Sequence, residues 1–582
     1  MARSFPAQKR KFLYKLSKLF SMRIFRTISS TFAFTSLVFL FLFPQPTDLI
    51  KISKKGFTQW EILQSYQIEI LQDLNTCFIA RINRELLQVL NENQITYSIL
   101  DEDIKDKHYF LVHYPSWKPL DRLKEKGNAI VLEKDTVLFW AEIKDPILLI
   151  PAEIPRKPLS SESILPYLQA PYSIPREIEY EIRENETVKR IVNEVSSNDL
   201  RYFIQSLQDF KTRYSSTPTC EEAGELIYNY FQNLGLDVSY QSFTFGPNYT
   251  SRNIIGELRG VTYPEDVLIV CGHYDSTSYI PEILAPGADD NASGTAAVLE
   301  AARILVNYPL DFTVRFIAFS AEEWGLYGSR AYASKVQDEN ESIVGIINLD
   351  MIGYADNMPE ELEIIVNPAS EWLAEKTIQS SRAYVPTSVR KTVDSSFVYS
   401  DHASFWEKGY YALCGIEDYP LVNPYYHSPY DTIDTLNFEF CTPSVKVVLA
   451  ILSELAQPIR AGHPTTPVGL TGKYVVYSSL FSQVIDVYLT WNHNPDAVGY
   501  NVYRTTIPHL NYNKINSSPI LGNSFLDRNA SSEIRYFYVI TAVGSSGLES
   551  NFSREIEIAP DNQSSLNLSN RMALFIHKWH GQ

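Results

Sequence analysis

The chain has 582 residues, 45% of them hydrophobic, and a formal net charge of −17. This length and apolar content are enough for more than one domain with a core of its own. The excess of acidic residues argues against nucleic acid as a partner, because surfaces that bind nucleic acids are basic. The five cysteines have no spacing typical of a zinc–thiolate site, and their spacing leaves disulfide pairing open.

The first segment has the pattern of an export signal. Lysines and arginines are dense from Lys9 to Arg26, and the apolar run Thr31–Phe43 follows them. That run is shorter than the roughly 18–20 apolar residues of a comfortable membrane span, and no small-residue cleavage motif follows it. We therefore predict that residues 1–56 form a signal peptide or a short membrane anchor with a basic leader. The protein is then secreted, periplasmic or at the cell surface, or anchored in a membrane at its N-terminus.

Residues 57–155 predict a small N-terminal α/β domain. Five apolar residues recur at helical spacing and predict a helix: Ile79, Ile82, Leu86, Leu87 and Leu90. Four short apolar stretches then predict strands: Ile95–Leu100, Tyr109–His113, Ala129–Leu132 and Val137–Ala141. The proline-rich stretch Pro151–Pro175 is typical of a linker, so we interpret residues 156–195 as a linker with a helical lead-in.

Residues 196–460 predict a larger α/β domain. Two helical stripes of core residues come first: Leu200, Phe203, Ile204, Leu207 and Phe210, then Ala223, Ile227, Phe231 and Leu234. Apolar strands then alternate with helices, and the strands include Val267–Val270, Val314–Phe319 and Val344–Leu349. This alternation predicts a central sheet with helices on both of its faces.

Residues 465–560 predict a β-sandwich. The alternating stretches are Ile485–Trp491, Gly499–Arg504, Ser524–Leu526 and Tyr536–Val543. With Trp491 as a core residue, this region resembles a fibronectin type III domain. Such a module implies a spacer or a contact with a surface or a carbohydrate. Residues 561–582 are interpreted as a polar tail.

Acidic and histidine side chains follow the ends of the predicted strands in residues 196–460. They are His273, Asp290, Glu322, Glu323, Asp350 and His427. Sites in open α/β sheets lie at the carboxyl ends of the strands. One histidine and one unshared carboxylate for each metal, with one bridging carboxylate, suit two zinc ions. A spare glutamate beside a ligand glutamate suits a general base.

Six motifs carry a specific resemblance over roughly residues 198–457. In chain order they are GHYDS, PGADDNASG, AEEWGLYGS, NLDM, SDHASF and YHSPYDT. Together they resemble the co-catalytic two-zinc exopeptidases of peptidase clan MH, especially the secreted bacterial leucyl-type aminopeptidases. The resemblance implies the zinc-exopeptidase fold, which has a mixed central sheet with helices on both faces. Residues 57–155 loosely resemble the pro-segments or accessory domains that precede many exported peptidases.

The resemblance also assigns two zinc ions and their ligands. His273 and Asp350 would hold one zinc, and Glu323 and His427 would hold the other. Asp290 would bridge the two ions. The family further implies a cis peptide bond after this bridging aspartate.

Three more side chains take roles from the same resemblance. Glu322 would be the general acid/base, and Asp275 would orient an imidazole ligand from the second shell. Some relatives place an oxyanion-stabilising tyrosine three residues before the serine of the SDH motif, but Phe397 stands there and has no donor. Other relatives place the tyrosine directly before the last histidine ligand. We therefore predict Tyr426 as the oxyanion donor, with Tyr399 as a weaker substitute.

The leading hypothesis is an exported zinc-dependent aminopeptidase that hydrolyses N-terminal residues from peptides, using a metal-bridging water activated by a glutamate base. One alternative is a zinc acyltransferase of the glutaminyl cyclase type, and another is a catalytically inactive receptor-like homologue. The context AEEWGLYGS favours the peptidases, and the intact ligand set argues against a receptor. Ser400, Asp401 and His402 are sequence neighbours and do not predict a serine-protease triad. The implied partners are peptide or protein N-termini, a membrane through the N-terminal segment, and no nucleic acid.

Overall fold

The computed structural model describes residues 47–559, except residues 58, 117, 144, 166–183, 420, 479–482 and 532–533. The predicted basic leader and apolar run before residue 47 and the polar tail after residue 560 lie outside the described residues. Within the described part, no helix combines the length and the apolar composition needed to cross a membrane.

The N-terminal region consists of two four-stranded sheets with short helices. Its strands are β1 (Thr47–Ser53), β2 (Glu69–Asp73), β3 (Cys77–Asn83), β4 (Tyr97–Asp101), β5 (Tyr109–His113), β6 (Asn128–Glu133), β7 (Thr136–Trp140) and β8 (Arg156–Pro158). The sheet orders are β2-β3-β1-β4 and β6-β7-β5-β8, with antiparallel pairings. The α-helices between the strands are Trp60–Ser65, Leu87–Glu92 and Asp121–Lys124.

Three expectations for this region differ from the structure. Thr47–Ser53, which the sequence placed in the leader, pairs with two neighbouring strands as β1. Ile79 and Ile82 lie on strand β3 and not on a helix, which begins only at Leu87. The cause is that Cys77–Ile82 is a nearly continuous buried run, in which helical and strand spacing cannot be told apart. Residues 156–158, expected in a linker, form β8 and pair with β5.

The central sheet has eight strands in the order β15-β14-β16-β13-β11-β12-β10-β9. They are β9 (Asp237–Phe245), β10 (Tyr249–Leu258), β11 (Tyr263–His273), β12 (Phe312–Phe319), β13 (Ser342–Leu349), β14 (Leu362–Val366), β15 (Val389–Val393) and β16 (Ala412–Ile416). The middle strands β16, β13, β11 and β12 run parallel, whereas β10 and β14 are antiparallel to their inner neighbours. The expectation of a mixed α/β fold is therefore confirmed.

Helices cover both faces of this sheet. They are Glu186–Asn193, Ser197–Gln208, Pro218–Asn233, Gly294–Leu305, Tyr327–Asp338, Glu371–Tyr384, His402–Trp406 and Phe438–Ala456. Alternate residues of β11 point to opposite faces: Leu268 joins a core cluster with the helix Gly294–Leu305, and Ile269 joins another with the helix Tyr327–Asp338. All five cysteines are buried and unpaired.

The C-terminal region consists of two further sheets, ordered β17-β18-β21 and β20-β19-β22-β23. Their strands are β17 (Thr471–Ser478), β18 (Gln483–Thr490), β19 (Gly499–Thr505), β20 (Asn513–Lys514), β21 (Ser524–Asp527), β22 (Tyr536–Val543) and β23 (Ile556–Ile558). Residues of both sheets share one apolar cluster that includes Trp491. The fibronectin type III assignment stays a prediction.

Candidate metal and catalytic site

Three parallel strands bring the predicted site residues to one edge of the central sheet. β11 ends at His273, Glu322 and Glu323 follow the end of β12, and Asp350 follows β13. Because these strands are neighbours and run parallel, their carboxyl ends meet. Asp290 and His427 come from loops that approach the same edge.

Asp290 lies between the two histidines. Its Oδ1 is 3.2 Å from Nε2 of His273, and its Oδ2 is 3.0 Å from Nε2 of His427. Nε2 of His273 is also 3.5 Å from Oδ1 of Asp350. Nε2 of His427 is 3.0 Å from Oε2 of Glu323. The five side chains therefore form two triads that share Asp290, and each triad could hold one metal ion.

The donor set fits a metal cation. All five side chains are buried, and Nε2 of His273 and Oε1 of Glu323 are buried atoms without a hydrogen-bond partner among the described residues. Burial raises the pKa of Glu323 to about 7, against the lowering influence of His427. Burial also lowers the pKa of His427, but the carboxylates of Glu323 and Asp290 outweigh it and raise this pKa to about 10. Two imidazoles and three carboxylates, with buried negative charge to neutralise, suit zinc.

Comparison with known proteins assigns the family. The model of peptidase family M28 matches residues 253–452. The probable leucine aminopeptidase of Arthroderma otae is 30% identical over 289 residues, which are 47% of this chain and 76% of that protein. The chain belongs to peptidase family M28. Leucine aminopeptidase 1 of Paracoccidioides brasiliensis (strain Pb03) is 29% identical over 296 residues, covering 47% of this chain and 75% of that protein. The solved structure of LapB from Legionella pneumophila covers 71% of this M28 chain and 100% of its own, with 21% identity and a TM-score of 0.45.

Asp275 contacts the turn that carries the two glutamates. Its carboxylate accepts hydrogen bonds from the backbone N–H groups of Glu322 at 3.2 Å and Glu323 at 3.3 Å, and from Oγ of Ser215 at 2.7 Å. Nδ1 of His273 lies closer to the backbone carbonyl of Asp275, at 3.1 Å, than to its carboxylate, at 3.6 Å. In this M28 chain, then, the carboxylate positions the glutamate turn, and the backbone carbonyl orients the imidazole.

Glu322 lies beside the ligand cluster. It is buried, and it forms a close group with His273 and Glu323. Burial raises its pKa well above the usual value, and the charges of Glu323 and Asp350 raise it further. A raised pKa makes this carboxylate a stronger proton acceptor, as a general base requires.

The three aromatic residues weighed as oxyanion donors lie in different places. The ring of Tyr426 stacks on His427 with a centroid distance of 3.7 Å. Burial raises its pKa well above the usual value, and neighbouring carboxylates add to this, so its hydroxyl keeps its proton. Tyr399 packs against His113 of the N-terminal region at 5.3 Å, and Phe397 stacks on His402 at 5.6 Å.

A buried network supports the loop of Asp290. The carboxylate of Asp431 accepts hydrogen bonds from the backbone N–H groups of Asp289, at 2.9 Å, and Asp290, at 3.0 Å. The carboxylate of Asp289 accepts from the N–H of Gly353 at 2.9 Å and from Nδ2 of Asn423 at 2.9 Å. The peptide bond after Asp290 is cis, as the family resemblance implies. The motifs PGADDNASG and YHSPYDT contain these aspartates, but nothing in the sequence separates their role from that of a ligand.

Two groups of the N-terminal region, which no sequence motif indicates, also contact the predicted ligands. The backbone carbonyl of Glu153 accepts a hydrogen bond from Nδ1 of His427 at 2.9 Å. Nη2 of Arg156 donates to the backbone carbonyl of Glu323 at 3.0 Å. No motif signals either contact, because one is made by a backbone carbonyl and the other by a single arginine in a segment interpreted as a linker.

Proposed function

We propose that this protein is a zinc-dependent aminopeptidase with two zinc ions that releases N-terminal residues from peptides. The single observation that carries the proposal is the position of Asp290, whose two carboxylate oxygens face two different histidines at 3.2 and 3.0 Å. Membership of family M28 and relatives described as leucine aminopeptidases support it. One zinc would be held by His273 and Asp350 and the other by Glu323 and His427, with Asp290 between them.

Zinc bound at such a site acts as a Lewis acid on the scissile carbonyl and lowers the pKa of water. Glu322 takes the proton from the attacking water and delivers it to the leaving amine. The hydroxyl of Tyr426 donates a hydrogen bond to the carbonyl oxygen as negative charge develops there. The carboxylates of this acidic edge attract the free α-amino group of the substrate, which selects a peptide N-terminus.

The remaining parts of the proposal concern location and architecture. The basic leader and apolar run before residue 47 support export, with the mature protein secreted, periplasmic or at the cell surface. The two C-terminal sheets with their shared core support a fibronectin type III-like module.

The test is hydrolysis of a panel of aminoacyl-p-nitroanilides by the wild type and by Glu322→Gln. We expect chelator treatment to abolish the wild-type activity and added zinc to restore it. Because the glutamine side chain has the shape of the glutamate but cannot take a proton, we expect kcat to fall by about 10²–10⁴-fold while the zinc content stays unchanged. Glu339→Gln is the control, because Glu339 is exposed at the end of the helix Tyr327–Asp338 and is not a predicted site residue.

Three outcomes contradict the proposal. Turnover that continues in the presence of the chelator contradicts a requirement for zinc. A fully active Glu322→Gln variant contradicts the proposal that Glu322 is the base. Formation of pyroglutamate from N-terminal glutamine, without release of any residue, identifies the glutaminyl cyclase alternative.

A further inference from the structure

A segment of the N-terminal region reaches the proposed metal site. The carbonyl of Glu153 lies 2.9 Å from Nδ1 of His427. Because a carbonyl can only accept, Nδ1 is the donor of this hydrogen bond, which leaves Nε2 as the nitrogen that can bind a metal. That Nε2 atom faces Asp290 and Glu323, each at 3.0 Å. The segment thus fixes both the tautomer and the orientation that a metal-binding imidazole needs.

Arg156 connects the same segment to a second proposed ligand. Its Nη1 donates to the carbonyls of Pro151 at 2.7 Å and Ile150 at 3.3 Å, which are close in sequence to Glu153. Its Nη2 donates to the carbonyl of Glu323 at 3.0 Å. Arg156 is only 5% exposed, so these bonds are shielded from water. One arginine therefore holds the segment that orients His427 against the turn that carries Glu323.

The segment around Arg156 is also closely packed against the turn that carries Glu323. Gly325, two residues after Glu323, has φ +109°, and a Cβ atom at this position would lie 2.8 Å from Cδ of Pro158. One buried apolar cluster joins the segment to the peptidase region and includes Ile147, Ile150, Ile154, Tyr214, Ala321 and Trp324. The segment precedes residue 253, where the match to the M28 family model begins.

We propose that Pro151–Pro158 is a permanent part of the metal site, with the Glu153 carbonyl and the Arg156 side chain as its positioning groups. The N-terminal region then stays with the active enzyme and is not a pro-segment that is removed on activation. This inference rests on the proposed function, because it assumes that His427 and Glu323 bind zinc.

The first test is the zinc affinity of the metal-free full chain, measured by competition with a chromophoric chelator. Arg156→Met keeps the bulk of the side chain but loses all three hydrogen bonds, so we expect zinc affinity to fall by about 10–100-fold. Arg156→Lys, which keeps the charge and fewer hydrogen bonds, gives an intermediate affinity. Circular dichroism verifies that each variant is folded, and Arg156→Lys serves if Arg156→Met is not.

Arg330→Met is the matched control. Arg330 donates to the carbonyl of Pro158 at 3.1 Å and pairs with Glu407 at 3.3 Å, so it holds the same strand without touching Glu323 or His427. We expect it to keep the zinc affinity of the wild type. Wild-type affinity in both Arg156 variants overturns the inference. A wild type that binds no zinc contradicts the proposed function instead.

A second test cuts the chain between the two regions. A site for a specific protease is inserted between residues 166 and 183 of the full-length protein. We expect the two fragments to remain associated after cleavage and to keep their zinc, because the apolar cluster and Arg156 join them. Release of the N-terminal fragment that leaves a remainder with full zinc affinity and activity overturns the inference.

Discussion

Glu322 and Glu323 are adjacent residues of the same type, yet their surroundings differ. Oε2 of Glu323 lies 3.0 Å from Nε2 of His427, whereas Glu322 forms a close group with His273 and Glu323. Asp275 accepts a hydrogen bond from the backbone of each. Asp275 therefore holds the turn at both N–H groups. This difference in surroundings supports the proposed roles of Glu323 as a metal ligand and Glu322 as the base.

Removal of one hydroxyl tests the assignment of the oxyanion donor. In Tyr426→Phe the ring can still stack on His427, so zinc content is expected to be unchanged. The lost donor should lower kcat by about 10²–10³-fold, as removal of one oxyanion-hole donor does elsewhere. Steady-state kinetics and metal analysis of the purified variant measure both quantities.

Tyr399→Phe is the matched control for this prediction. Its ring packs against His113 in the N-terminal region, so loss of its hydroxyl should leave kcat unchanged. A large loss of kcat in Tyr399→Phe, with a nearly normal Tyr426→Phe, would show that the weaker candidate is the donor.

Residue chemistry explains how much of the site the sequence could predict. The motifs of His273, Asp290 and His427 combine residue types that are typical of a metal site. The structure places Nε2 of each histidine within 3.2 Å of an Asp290 carboxylate oxygen. Glu153 could not be predicted, because its contact uses a backbone carbonyl that any residue possesses. The role of Arg156 could not be predicted either, because its three acceptors are backbone carbonyls, two of them nearby in sequence and one at Glu323.

At the scale of elements, the strongly periodic parts were predicted well and the N-terminal region was not. The helix Ser197–Gln208 buries Leu200, Phe203, Ile204 and Leu207, which are members of one predicted stripe. Strand β3 has buried residues at successive positions, so its spacing matches a helix as well as a strand. Only Pro44, Gln45 and Pro46 separate strand β1 from the apolar run of the predicted leader. Both β1 and β3 are strands because they pair with strands elsewhere in the chain. A short sequence window does not contain those partners.

The place of β1 inside its sheet gives a stability prediction. Ile50 is fully buried on this strand, and its cross-strand partner Ile99 is 45% exposed on β4. Ile50→Ala should destabilise the N-terminal region by about 2–5 kcal/mol through lost burial and a cavity. Ile99→Ala should change its stability by only about 0.5 kcal/mol, because much of that side chain already contacts water.

Hydrogen exchange of peptides from residues 47–101 measures the two variants separately from the rest of the molecule. Faster exchange in Ile50→Ala alone is the expected result. Equal and small effects of the two substitutions would mean that β1 adds little to the sheet and that the leader extends to residue 56 as the sequence suggested.

The two ends of strand β12 contact different parts of the molecule. Glu322 and Glu323 follow its carboxyl end, whereas Asp311 directly precedes its first residue, Phe312. Eight strand residues separate the two ends by about 26 Å. Asp311 is 1% exposed, and its carboxylate accepts hydrogen bonds from Thr466 and Asn551, each at 2.8 Å. It therefore attaches the C-terminal sheets to the edge of the central sheet that is remote from the site.

This separation predicts that Asp311→Ala loosens the C-terminal region without slowing the reaction. The substitution leaves Thr466 and Asn551 without their shared acceptor, which should cost about 1–3 kcal/mol at the contact. Limited trypsin digestion should then cut faster after Arg460, and kcat/KM should stay at the wild-type value because the proposed ligands are untouched. Asp338→Ala, at an exposed helix end, should change neither quantity. A parallel loss of kcat/KM in Asp311→Ala would instead mean that the C-terminal sheets act on the site through the central sheet.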